Sequence, residues 1–132
     1  MECDPIGHVE TPFDTTGEAP RQGFLGEQSG TVHVDEPYRR GLTGFAPGDS
    51  VLVVWWADDA DRSVLRVREG DRGVFTTRSP ARPNPVCLTT CELLAVDEDA
   101  GTLEVAGVDM ADGSPLLDLK RALEASGEGA PP

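Results

Sequence analysis

Apolar residues in this chain fall in short runs of strand length. Residues 51–56 form the most hydrophobic run, and its β-branched and aromatic side chains predict a buried central strand. Residues 31–34 and 64–68 alternate between polar and apolar side chains, the period-two pattern of half-buried strands. The other predicted strands are residues 6–13, the end of a strand at 74–76, residues 87–96, residues 102–108 and part of 109–120.

Turn signals separate these strands at short intervals. Residues 14–29 predict a loop, residues 39–45 a short helix or turn, and residues 97–101 the turn of a hairpin. We therefore predict an all-β fold, a small closed or nearly closed β-barrel with short helical or turn insertions, because closure removes exposed strand edges. Residues 1–121 form the single predicted domain, and residues 122–132 a flexible acidic tail.

Residues 73–88 are the most distinctive stretch of the sequence, with three prolines and two arginines close together. Proline fixes its own φ and restricts the residue before it, so the shape of this loop is largely set before any ligand binds. Arg78 and Arg82 then project from a stiff frame, which suits a site for a carboxylate, a phosphate or a flat ring. A rigid surface hairpin with two solvated arginines explains the same residues without a ligand.

A second informative stretch covers residues 107–120 and contains a tight turn at residues 112–115. Asp109, Asp112, Asp118 and Lys120 are explained equally by turn caps and a surface ion pair. In the functional interpretation, backbone groups of the turn bind a base or a ribose, and the carboxylates bind hydroxyls or a cationic centre.

The formal net charge is -13, and ten of the 11 basic residues are arginine. Such a surface argues against binding nucleic acid by bulk attraction to phosphate, although it allows a local basic site. It suits a proteome adapted to high salt, and a GC-rich genome explains the arginines equally well. No apolar run approaches 18 residues and no signal pattern opens the chain, so we expect no membrane span and a cytoplasmic location.

The cysteine and histidine residues do not suggest a metal site. Three cysteines fit reduced thiols better than a disulfide framework. Cys87 and Cys91 face the same side of a predicted strand, and we interpret them as small buried residues. His8 and His33 are interpreted as strand surface positions, and we predict no metal.

Four motifs together resemble the TrmO family, also called TsaA-like, over residues 5–120. They are Ile6-Gly7-His8-Val9-Glu10-Thr11-Pro12-Phe13, Pro20-Arg21-Gln22, Arg78-Ser79-Pro80-x-Arg82-Pro83-Asn84-Pro85 and Asp112-Gly113-Ser114-Pro115-x-x-Asp118-x-Lys120. The resemblance implies a β-barrel methyltransferase that uses S-adenosyl-L-methionine, forms a homodimer and holds the cofactor near the subunit interface. Its implied substrate is the N6 nitrogen of threonylcarbamoyl-adenosine in tRNA.

The resemblance also implies roles for individual residues. The implied cofactor-binding residues are Pro20, Arg21, Gln22, Arg78, Leu88, Asp112, Gly113, Ser114 and Pro115, with Arg82 and Asn84 shaping the pocket. Asp118 is the expected catalytic base and Lys120 the expected substrate contact.

This sequence departs from the family pattern at Trp56-Ala57-Asp58, at Cys87 and after Lys120. Three hypotheses follow: a tRNA methyltransferase, a methyltransferase for a small-molecule or thiol acceptor, and a cofactor-binding module without catalysis. The first predicts a basic patch around one mouth of the barrel, made of Arg21, Arg39, Arg40, Arg78 and Arg82.

Overall fold

The computed structural model describes residues 1–15 and 28–123 of the chain, and eight strands lie in this part. Alternating side chains and short turns produce them, as the sequence predicts. The strands are β1 Gly7–Glu10, β2 Ser29–Val34, β3 Ser50–Trp56, β4 Arg66–Val67, β5 Arg72–Gly73, β6 Val86–Asp97, β7 Thr102–Ala106 and β8 Ser114–Arg121. Two 3₁₀ helices, Glu36–Leu42 and Val74–Thr76, connect β2 to β3 and follow β5.

Six of the strands close into an antiparallel barrel in the order β1-β2-β7-β6-β3-β8, with β8 paired back to β1. The longest ladder joins β3 to β6, from Ser50 opposite Glu92 to Trp56 opposite Val86. Strands β4 and β5 form a separate two-stranded ribbon between β3 and β6. The predicted all-β closed barrel is confirmed.

Inward-facing aliphatic side chains fill the barrel. On β3 the inner residues are Val51, Val53 and Trp55, each at most 3% exposed, and the register places them beside the inner residues of β6. Val108 and Met110, both fully buried, close one end of this core. Leu42, which is also buried, belongs to the same core cluster. Burial of such side chains is the main force that holds a small barrel together.

Two predicted strand segments differ in the structure. Residues 64–68 supply only the short strand β4, and residues 74–76 form a 3₁₀ helix instead of a strand end. The cause of the second difference is local, because the hydroxyl of Thr76 donates to the carbonyl of Gly73 at 2.7 Å and that of Thr77 to Val74 at 2.8 Å. These bonds offer the backbone an alternative to a ladder and turn the chain toward the proline-rich loop.

None of the helices in the described part of the chain is long and apolar enough to cross a membrane. Within the same residues, no three His, Cys, Asp or Glu side chains lie close enough together to hold a metal ion. Cys3, Cys87 and Cys91 are free thiols.

Candidate cofactor site at one end of the barrel

Three chain connections meet at one end of the barrel, which we call the mouth. The register shows this directly, because Val9 at the end of β1 is opposite Ser114 at the start of β8, and Trp56 at the end of β3 is opposite Val86 at the start of β6. The end of β7 is likewise opposite the start of β2. Three connections therefore begin and end at the mouth, namely 11–28, 57–85 and 107–113, and the sequence of these connections contains the distinctive motifs.

The first connection contains Pro20, Arg21 and Gln22, which lie outside the described residues, as does the predicted tail from residue 124 onward. Its described flanks are fastened to the third connection. The Thr11 hydroxyl donates to the carbonyl of Met110 at 2.8 Å, and the backbone of Gly107 donates to the carbonyl of Gln28 at 2.9 Å.

Arg82 is a brace inside the proline-rich loop. Its guanidinium donates to the carbonyl oxygens of Ser79 at 2.8 Å and Val74 at 2.7 Å, and also to that of Thr77. The side chain is half-buried, so these carbonyls have limited access to water. The planar guanidinium thus connects three backbone carbonyls of the same loop, which supports the predicted role of Arg82 in shaping a pocket.

Arg78 is exposed and keeps donors available. One terminal nitrogen donates to the carbonyl of Leu88 at 3.0 Å, which lies at the start of β6. This contact uses one terminal nitrogen and holds the exposed guanidinium at the mouth, where a carboxylate can be bound in two-pronged fashion. Leu88 itself is 44% exposed and presents its side chain on the outer surface of the barrel.

Asn84 is held by an arginine that sequence reasoning missed. Arg62 donates to the carbonyl of Pro83 at 2.7 Å and to the side-chain oxygen of Asn84 at 3.1 Å, and its guanidinium carbon lies 5.1 Å from the centre of the Trp56 ring. No sequence pattern signals this contact, because the partners are 21 and 22 residues apart. Arg62 thus joins the end of β3 to the loop that carries the motif.

The turn at residues 112–115 uses its own backbone donors. The N–H groups of Asp112, Gly113 and Ser114 donate to the carbonyls of Phe13, Val9 and Ala111, respectively. These three N–H groups are therefore used within the protein, and the binding of a base or ribose by backbone groups of this turn stays a prediction that falls on its carbonyls. The Asp112 carboxylate, which accepts from the backbone of Thr11 at 3.0 Å, and the carbonyls of the turn supply acceptors, which suit the hydroxyls of a ribose or the amino group of an adenine.

A buried polar chain lies below the proline-rich loop. The Trp55 ring nitrogen donates to the Thr89 hydroxyl at 3.0 Å, and this hydroxyl donates to the Asp109 carboxylate at 2.6 Å. Burial raises the pKa of the Asp109 carboxyl above its usual value, while the Thr89 hydrogen bond and the Arg78 charge act in the opposite direction. Sequence patterns offer no reason to prefer Asp109 over its neighbours, since its position rests on a contact with Thr89, 20 residues away along the chain.

Cys87 and Cys91 lie on the inner face of β6, as predicted. Burial, followed by the nearby Asp109 charge, raises the pKa of Cys87 to about 11 and that of Cys91 to about 12. Both side chains are therefore neutral thiols at physiological pH, and neither is an activated nucleophile.

Asp118 and Lys120 are not brought to the three connections of the mouth. They lie on the outer face of β8, opposite Val54 and Leu52, and form an ion pair of 3.4 Å in which both side chains are more than half exposed. Asp118 is four residues along β8 from Ser114, roughly 13 Å at the usual rise of a strand. The catalytic role of Asp118 and the substrate role of Lys120 stay predictions.

The predicted basic patch around one mouth is wrong for two of its members. Arg39 and Arg40 follow β2, which runs away from the mouth, and Arg39 donates to the carbonyl of Val34 at 2.9 Å at the opposite end of the barrel. Arg78 and Arg82 remain at the mouth, and Arg21 lies outside the described residues.

Residues 8–126 match the sequence profile of the domain described as tRNA-methyltransferase O N-terminal domain. The chain belongs to the TrmO family. A protein of Halobacterium salinarum called a probable S-adenosyl-L-methionine-binding protein is 64% identical over 94% of this chain and 100% of its own length. The Escherichia coli tRNA (adenine(37)-N6)-methyltransferase is 32% identical over 91% of this chain and 57% of its own length.

Solved structures of the TrmO family share this barrel. The crystal structure of TrmO from Pseudomonas aeruginosa has a TM-score of 0.78 and 28% identity over 98% of this chain. A second TrmO crystal structure has a TM-score of 0.80 and 30% identity over the whole chain. The chain spans 59% and 65% of the length of these two proteins.

Proposed function

We propose that this TrmO-family protein is an S-adenosyl-L-methionine-dependent methyltransferase whose acceptor is the N6 nitrogen of threonylcarbamoyl-adenosine in tRNA. The observation that carries the proposal is that the connections containing the proline-rich loop and the turn at residues 112–115 lie at the same end of the barrel as the end of β1. The names of its relatives support the cofactor, and those of the Escherichia coli and mouse relatives support the tRNA acceptor. A tRNA substrate also supports a cytoplasmic location.

The side chains at the mouth fit the chemical groups of this cofactor. Arg78 has N–H groups to pair with a carboxylate, and the turn containing Asp112 has acceptors for ribose hydroxyls and an adenine amino group. We assign cofactor contacts to Arg78, Leu88 and residues 112–115, and a pocket-shaping role to Arg82 and Asn84. We extend the contacts to Pro20, Arg21 and Gln22 on the resemblance alone.

The bound cofactor supplies an electrophilic methyl group on a sulfonium. Methyl transfer would form a bond from the acceptor nitrogen to the methyl carbon as the carbon–sulfur bond breaks, and the nitrogen would release its proton to a base or to water. The protein must therefore hold the acceptor nitrogen in line with the breaking bond. Arg82 and Arg62 serve this task by fixing the proline-rich loop to its neighbours, so that little ordering remains when ligands bind.

A homodimer places a second subunit beside the mouth in this proposal. Val86 and Leu88, each 44% exposed, form an apolar strip on the outer face of β6, and the register across β3 puts Asp118 on that same outer face. A partner seated there covers the strip and brings Asp118 and Lys120 into an enclosed space. Under this arrangement Asp118 accepts the proton that the acceptor nitrogen loses.

Calorimetric titration with S-adenosyl-L-methionine, at low and at multimolar salt, tests the cofactor site. Arg78→Ala should weaken binding at least about tenfold, because it removes a charge-assisted pair with the cofactor carboxylate. Arg40→Ala removes an exposed arginine at the opposite end and should leave binding unchanged. Absence of binding by the wild type at either salt would contradict the proposal.

The acceptor requires a separate assay. Transfer of labelled methyl to tRNA carrying threonylcarbamoyl-adenosine, but not to tRNA lacking this modification, is the expected result. Asp118→Asn should lower kcat by about a hundredfold or more with little change in KM if it is the base. Transfer only to small-molecule or thiol acceptors would assign the alternative substrate class, and cofactor binding without any product would leave a binding module.

A further inference from the structure

The arginines of this acidic protein are concentrated in one segment. Six of the ten lie between residues 62 and 82, where Glu69 and Asp71 are the only acidic residues after Arg62. The chain as a whole carries a formal charge of -13, so this segment is a local basic region on an acidic molecule. It lies in the second connection of the mouth.

Three of these arginines project from the β4–β5 ribbon, one from each face and one from its tip. Arg66 is opposite Gly73 and Val67 is opposite Arg72, so Arg66 and Arg72 project from opposite faces. Arg68 stands at the tip of the ribbon, where its φ of 56° belongs to a tight turn. All three arginines are exposed.

Hydrogen bonds to neutral acceptors orient the side chains of Arg66 and Arg72 without neutralising their positive charge. Arg66 donates to the carbonyl of Gly70 at 2.8 Å, and Arg72 donates to the hydroxyl of Thr76 at 3.2 Å. The ion pairs Lys120–Asp118 and Arg121–Asp49, found in the described part of the chain, involve none of the ribbon arginines. Arg62 and Arg82, by contrast, are used to hold the fold of the loop.

Two large apolar side chains lie exposed where the ribbon meets the mouth. Leu65 is 60% exposed and Phe75 is 76% exposed. The backbone N–H of Val74, the residue before Phe75, donates to the carbonyl of Leu65 at 2.8 Å, so the two residues lie at the same end of the ribbon. Phe75 is three residues from Arg78 along the chain. An exposed aromatic ring flanked by arginines fits an unstacked base with phosphates on either side.

We infer that the ribbon, residues 65–75, is an RNA-binding arm. Its arginines contact backbone phosphates, and Phe75 stacks on a base of the single-stranded segment that carries the acceptor. This inference rests on the proposed function and names the surface by which the RNA is held. It also explains how so acidic a protein can bind a polyanion, because a local excess of positive charge, in the arm and the segment that contains it, lies beside the mouth.

The test compares two variants that each remove two exposed positive charges. Arg66→Ser/Arg68→Ser alters the arm, and Arg40→Ser/Arg121→Ser alters the end of the barrel opposite the mouth. The measured quantities are kcat/KM for modified tRNA against potassium chloride concentration, and the Kd for S-adenosyl-L-methionine. A labelled anticodon stem-loop in fluorescence anisotropy reports RNA binding independently of methyl transfer.

The arm variant should lose at least about tenfold in kcat/KM and in RNA affinity, and the slope of log affinity against log salt should become shallower by about 1.5. Its Kd for the cofactor should stay within about twofold of wild type. Phe75→Ala should weaken RNA binding about tenfold without changing the slope, and Phe75→Tyr should restore it. The opposite-end variant should show the wild-type slope.

Three results would overturn the inference. The first is an equal loss in both double variants, and the second is an unchanged salt slope in the arm variant. The third is dissociation of a wild-type dimer by the arm substitutions in sedimentation, which would assign the arginines to the acidic surface of a second copy. If the wild type neither binds the cofactor nor transfers methyl to tRNA but the arm still binds the stem-loop, the proposed function fails and the RNA-binding arm stands.

Discussion

Arginine performs distinct tasks at different positions of this molecule, and Arg82 and Arg78 illustrate the contrast. Arg82 is half-buried and satisfies three backbone carbonyls, whereas Arg78 is exposed and satisfies one. Their substitution should therefore separate stability from binding.

Arg82→Ala should lower the free energy of unfolding by about 2–4 kcal/mol, because three partly buried carbonyls lose a charged donor. Chemical denaturation measures this loss, and Arg78→Ala, which should cost less than about 1 kcal/mol, is the matched control. Arg82→Lys should not restore stability, since an ammonium cannot span three acceptors in one plane. Equal destabilisation by the two alanine variants would contradict this division of roles.

Asp109 gives a prediction about pH. Burial raises its pKa in the folded protein above the usual 3.8, so the folded state holds the proton more tightly than the unfolded state does. The stability that this proton contributes is present below about pH 3.8 and is lost as pH rises through the raised pKa. Asp109→Asn keeps an acceptor for the Thr89 hydroxyl and carries no charge.

The variant should therefore gain stability relative to wild type as pH rises from about 4 to about 8, with little difference at the acid end. Urea denaturation across this range measures the difference in free energy of unfolding. Glu92→Gln, which removes an exposed carboxylate from the strand that carries Thr89, is the control for general charge effects. A difference that stays constant with pH would show that burial of Asp109 does not control its ionisation.

At the scale of single elements, the β6–β7 turn depends on one glycine. Gly101 has a φ of +71° and is buried, and a Cβ placed there meets Nε of Arg39 and the carbonyl of Val34. Arg39 donates to that same carbonyl at 2.9 Å, so the glycine leaves room for a contact that closes this end of the barrel.

Gly101→Ala should lower the free energy of unfolding by about 2–4 kcal/mol, combining left-handed backbone strain with loss of the Arg39 contact. Gly48→Ala is the matched control, because Gly48 has a φ of +96° and open space around its Cα. That variant should cost only about 1 kcal/mol in the same denaturation experiment. Equal costs would mean that the Arg39 contact contributes nothing.

Elements whose pattern is enforced by burial were predicted from sequence with small errors. β3 matches the run 51–56 to within one residue, because the alternate side chains Val51, Val53 and Trp55 are buried in the barrel core. The strand predicted at 64–68 is only two residues long in the structure, because the β4–β5 ribbon is separate from the barrel and does not pack on its core. Alternation alone cannot distinguish these cases.

At the scale of the whole molecule, the candidate site depends on barrel closure. The motifs were visible in the sequence, but their meeting at the mouth follows from the pairing of β1 with β8 and from contacts such as Thr11 to Asp112, which span 101 residues. Local patterns carry no information about such pairs. Asp118 illustrates the limit, because its motif position suggested the site while the pleat of β8 directs it to the outer face.

The net charge of -13 on a 132-residue chain leads to a prediction about salt. Like charges on a compact surface repel one another, and the Debye length falls from about 30 Å at 0.01 M salt to about 3 Å at 1 M. The thermal unfolding midpoint should therefore rise by at least about 10 °C between these concentrations of potassium chloride.

The way in which the unfolding midpoint depends on salt concentration distinguishes charge screening from other salt effects. If repulsion between carboxylates is the cause, most of the gain appears below about 1 M, where the Debye length changes most, and sucrose at matched osmolality does not reproduce it. A variant with exposed Glu92, Glu98 and Glu104 replaced by Gln should need less salt to reach the same midpoint. A gain that continues steeply into the multimolar range, equal in both proteins, would instead point to salt exclusion from the protein surface, because that effect does not depend on the protein's charge.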